Sequence, residues 1–91
     1  MQNNITALLT KNTFMHSQLM NFEGISTYII ENELTDSVAI VLHPDSFDAV
    51  AIDYISKHGS IERPFEILGI EILEDTTGQV SRNKIETIEL Q

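Results

Sequence analysis

The densest grouping of chemically capable side chains is His43-Pro44-Asp45-Ser46, a base, a carboxylate and a hydroxyl within four residues. A hydrolytic relay needs nucleophile, base and orienting acid in a line of hydrogen bonds, and three neighbours in one tight turn do not readily reach that geometry. Asp45 or Ser46 instead reads as the cap of a following helix. His16, His43 and His58 stand apart, without the i, i+4 spacing or the nearby carboxylates of a metal site. The four glycines, Gly24, Gly59, Gly69 and Gly78, are scattered, so no glycine-rich loop cradles a phosphate. The absence of cysteine removes disulfides, thiolate catalysis and cysteine-based metal sites. The expectation is a chain that is not an enzyme and holds no cofactor and no metal.

Charge narrows the partners. The formal net charge is -9, from 14 acidic and five basic residues, which disfavours direct binding to nucleic acid or to anionic lipid. Between Lys11 and Lys57 lie 45 residues with no Lys or Arg and seven acids. Glu31, Glu33, Asp36 and Asp53 are expected to form an acidic surface there, either solubilising or imitating nucleic acid phosphates before a basic partner. MQNNITALLTKN lacks the basic start and apolar run of a secretory signal, and no segment has the length of a membrane span, so a cytoplasmic location is expected.

The elements that must carry these residues are organised around Val38–Gly59. Val38 to Leu42 is a β-branched apolar run, expected as a central strand, and Pro44 forces a corner behind His43. Phe47, Val50, Ala51, Tyr54, Ile55 and His58 then recur at helical spacing, with Lys57 and Gly59 as the stop. Upstream, Asn3 or Asn4 caps an expected first helix over residues 1–22, a terminal arm ended by Gly24. Ile25 to Glu31 has strand composition and is expected to form a hairpin with 38–42. Downstream, the apolar phase of Phe65 to Asp75 changes across Leu68-Gly69, predicting a bulge there, and 84–90 is expected to return as the second strand of a hairpin. The resulting expectation is a single domain over 1–91 with an α+β fold. It is a two-layer sandwich in the order α-β-β-α-β-β, with a mainly antiparallel sheet and helices on one face.

Two resemblances attach to particular residues. Asp45-Ser46-Phe47 resembles the Asp-Ser-Leu motif of acyl carrier proteins, which would imply phosphopantetheine on Ser46. Phenylalanine stands for leucine here, and strand patterns replace that family's downstream helices. Val41-Leu42-His43-Pro44, Phe47, Gly59 and Leu68-Gly69-Ile70-Glu71-Ile72 together resemble the late segment of tailed-phage major capsid proteins. That likeness covers residues 38–88 and not the family's spine helix, extended loop or N-terminal arm. It implies a phage-encoded assembly or accessory protein.

The functional expectation is a small, acidic, non-catalytic protein-interaction domain that oligomerises or docks on a larger protein. Its apolar N-terminal residues exceed what one helix face needs, which makes Phe14, Met15, Leu19, Met20 and Phe22 the expected interface. The alternative is an anti-restriction or anti-CRISPR inhibitor that presents the acidic surface as a decoy.

Overall fold

The computed structural model describes residues 20–90, so the expected helix over 1–22 lies almost wholly outside the described residues. Six elements follow: α1 (Phe22–Glu31), β1 (Val38–Leu42), α2 (Pro44–His58), β2 (Glu66–Ile67), β3 (Ile70–Glu74) and β4 (Ile85–Glu89). The fold is α+β, two helices packed on a four-stranded sheet.

The first departure from expectation is α1, which occupies the segment expected as a strand. Asn21 is extended (φ -148°), and its side-chain oxygen accepts the Gly24 amide at 2.7 Å, so the helix starts at Phe22 and runs through Gly24. Glu23 in the first turn complements the helix dipole. Helical spacing puts Ile25 and Ile29 on the buried side, and the β-branched composition yields to that burial. At the far end the Asn32 side chain donates to the Tyr28 carbonyl at 2.9 Å.

The second departure is at the proline corner. His43, not Asp45 or Ser46, caps α2: its Nδ1 accepts the Asp45 amide at 3.0 Å, and Pro44 is the first helical residue. Gly59 closes the helix at φ 93°, a left-handed conformation open to glycine, with its amide donating to the Ile55 carbonyl at 2.7 Å.

Strand order is β2-β3-β1-β4. β1 pairs in parallel with β3 and antiparallel with β4, and β2 pairs antiparallel with β3, so the sheet is mixed. The two expected hairpins do not form: 25–31 is part of α1 and cannot pair with 38–42, and 65–75 cannot pair with 84–90 because β1 lies between β3 and β4. The hairpin that does form joins β2 to β3 across Leu68 and Gly69, at φ 51° and 80°. Two consecutive positive φ values make a two-residue turn whose twist matches the strands, where a bulge was expected.

Strand alternation sends Ile40 and Leu42 of β1, Ile70 and Ile72 of β3, and Ile67 of β2 to one face, where Ile25, Ile29 and Val50 of the helices meet them. Each such side chain contributes about 1.5–3 kcal/mol by leaving water. Phe65 joins the layers through edge-on contacts to Phe47 (5.9 Å) and Tyr54 (5.1 Å). Both helices therefore cover the same face. Thr87, directed to the helix side by its register with Ile40, is exposed, so the helical layer stops short of β4.

Candidate functional site

The opposite face of the sheet carries no helix from the described residues. Ala39 and Val41 of β1 point there, in register with Glu71 and Leu73 of β3 and with Ile88 and Glu86 of β4. The chain leaving β3 rises beside them as a wall. Between wall and strands lies an open concavity of about 540 Å³, with Val41, Leu73, Val80 and Ile88 as its apolar lining and Glu74 and Glu86 among its polar residues.

Asp75 builds the wall. Its carboxylate accepts the Thr77 hydroxyl (2.6 Å), the Thr77 amide (2.9 Å) and the Val80 amide (2.9 Å), while its own amide donates to the Leu42 carbonyl (2.8 Å). Those donors stabilise the anion, the Thr77 hydroxyl first, and lower its pKa to about 2. The turn is therefore held shut by a carboxylate that stays charged at any ordinary pH. It seats Val80, 8 % exposed, against the sheet.

The outer edge of β4 is the second component. Leu90 donates its amide to the Ser37 carbonyl at 2.9 Å, which fixes the phase of the antiparallel ladder. By alternation Ile88 and Glu86 bond inward to β1, and the amides and carbonyls of Ile85, Thr87 and Glu89 point outward. Among the described residues no strand pairs with that edge. Ile88 is 46 % and Leu90 40 % exposed, and Glu86 and Glu89 stand between and beside them. An unpaired edge next to an apolar concavity with carboxylates around it is suited to receiving an extended segment with apolar and cationic side chains.

The residues singled out from sequence are not gathered into one site. The base, acid and hydroxyl of 43–46 diverge: His43 Nδ1 faces a backbone amide, exposed Asp45 pairs with Arg82 at 2.8 Å, and buried Ser46 accepts the Asn83 amide at 3.3 Å. His58 stacks on Tyr54 with ring centroids 4.1 Å apart, beside a shallow cleft of about 330 Å³ that Phe65 and Glu66 also line. His16 lies outside the described residues, and among those described no three metal-ligating side chains cluster. Phe14, Met15 and Leu19 of the expected interface also lie outside. Met20 and Phe22 do not form a free interface, because they pack on the core, Phe22 edge-on to Tyr54 at 5.7 Å and to His58 at 5.0 Å.

Of the expected acidic surface, Glu31, Glu33 and Asp36 are exposed at the end of α1 and in the turn after it. Asp53 is not part of it. Its carboxylate accepts the Phe22 amide and the Lys57 ammonium, both at 2.8 Å, and links the two helices. The sheet face and the β4 edge escaped sequence reasoning because both depend on strand order. Asp75-Thr76-Thr77 was the one local signal, a carboxylate two residues before a hydroxyl that closes a turn. No helix among the described residues is long and apolar enough to cross a membrane. No protein-family model, curated protein or solved structure matches the chain.

Proposed function

We propose that this chain is a non-catalytic protein-interaction domain that docks a protein partner on the sheet face opposite its helices. The observation that carries the reading is an apolar concavity beside a β4 edge that no strand among the described residues pairs with. Backbone groups on such an edge supply affinity, and alternate side chains supply selectivity. Docking on a larger assembly, as a phage-encoded assembly or accessory protein does, is the finer form of this reading, supported by the likeness of residues 38–88 to a capsid segment. Affinity capture with the unaltered chain, Ile88→Glu and Ile52→Glu side by side tests it. Proteins retained by the first and third and lost by the second, with circular dichroism unchanged, are the expected result. Retention by all three refutes docking at this face.

A second reading, a decoy inhibitor of a nucleic-acid-handling enzyme, draws on exposed Glu31, Glu33 and Asp36 and on the charge of residues 20–91, where all 14 acids meet four bases. Its partner would be basic, and its binding would weaken steeply with salt. Charge reversal at those three positions with no loss of partner rules it out.

A further inference from the structure

The interaction face has a candidate occupant within the chain. We propose that residues 1–19 dock across the open face of the sheet alongside β4, so that an external partner must displace them. The location rests on the interaction-face reading; the occupant does not.

Charge is the first argument. Lys11 is the one charged side chain in residues 1–19, which hold no acid, whereas Glu71 and Glu86 point to the open face and Glu74 lines its concavity. Composition is the second, since Ile5, Leu8, Leu9, Phe14, Met15 and Leu19 match in kind the apolar lining formed by Val41, Leu73, Val80 and Ile88. Reach is the third. Met20 packs against the core, and 19 residues extend to about 60 Å at ~3.3 Å each, beyond the 44 Å longest dimension of the molecule. One rival surface is the outer side of α2, where Ile52 and Ile55 are exposed with Asp48 as the acid beside them.

The cysteine-free chain allows single spin labels in the full-length protein, at Thr87→Cys on the β4 edge or at Ile52→Cys on α2. Glu86→Cys, which points to the open face where Thr87 points to the helix side, is a second label position on β4 should Thr87→Cys fold poorly. Amide signals of residues 1–19 are read in isotope-labelled protein diluted with unlabelled, untagged copies. Expected is paramagnetic broadening several-fold stronger from the β4 label than from the α2 label, reduced by Lys11→Glu. Equal or stronger broadening from α2, broadening from neither, or an effect that passes only between copies overturns the proposal. Capture of a partner that depends on Ile88, without this broadening, sinks the self-docking inference and leaves the interaction face standing.

Discussion

The Phe22 amide donates to one Asp53 oxygen at 2.8 Å while Lys57 donates to the other at 2.8 Å, so a single carboxylate joins the first turn of α1 to the middle of α2. The Lys57 ammonium and then the Phe22 amide hold its pKa below the ordinary 3.8. A depressed carboxylate pKa favours the folded state above the unfolded value and loses that advantage as pH falls through the folded one. Asp53→Asn is expected to lower Tm at pH 7, and the gap from the unaltered chain to shrink as pH drops below about 4. Thermal melts from pH 7 to pH 2 check both. A constant gap across that range contradicts the assignment.

Asp75 gives the same sign over a lower window. Its folded pKa is about 2, so the 75–80 turn keeps its full contribution above about pH 4 and loses it as pH falls toward 2. Thr77→Val removes the leading donor and should raise the Asp75 pKa, read by the carboxyl carbon shift on titration. An unmoved value would show that the two backbone amides suffice.

The identity of the α2 cap separates two substitutions. His43→Ala, which removes the Nδ1 acceptor, is expected to cost about 1 kcal/mol by chemical denaturation. Ser46→Ala should cost less, because the 3.3 Å contact to Asn83 is long. With its side chain buried, Ser46 is also expected to gain no mass when incubated with coenzyme A and a promiscuous phosphopantetheinyl transferase. Modification there would restore the carrier reading.

Residues 25–31 offer a test of helix against strand. Thr27→Pro, in the interior of α1, should cost about 3 kcal/mol, and Thr27→Ala should be stabilising by a few tenths. In a strand the alanine would weaken the fold. The sign of the alanine change decides.

Core depth gives the last contrast. Ile40→Ala, at a site with no solvent exposure, is expected to cost about 2–5 kcal/mol. Ile52→Ala, 68 % exposed, should stay within about 0.5 kcal/mol. Similar losses at both positions would mean that the outer side of α2 is covered.

By itself the sequence determined what depends on near neighbours. A β-branched run followed by proline makes β1 and its corner whatever lies elsewhere, and the Phe47, Val50, Tyr54 stripe makes α2. Composition likewise announced an α+β chain. Where two local tendencies competed, tertiary structure chose. The β-branched residues of 25–31 favour a strand, yet Asn21 can cap a helix and Ile25 with Ile29 can bury one face of it, and the layer beneath decided for the helix. Strand order lay beyond any local pattern, because an apolar strand face carries no label for its neighbour. Only the packed sheet seats β1 between β3 and β4, and from that one choice follow the sheet face opposite the helices, the Asp75 wall and the β4 edge that no strand among the described residues pairs with.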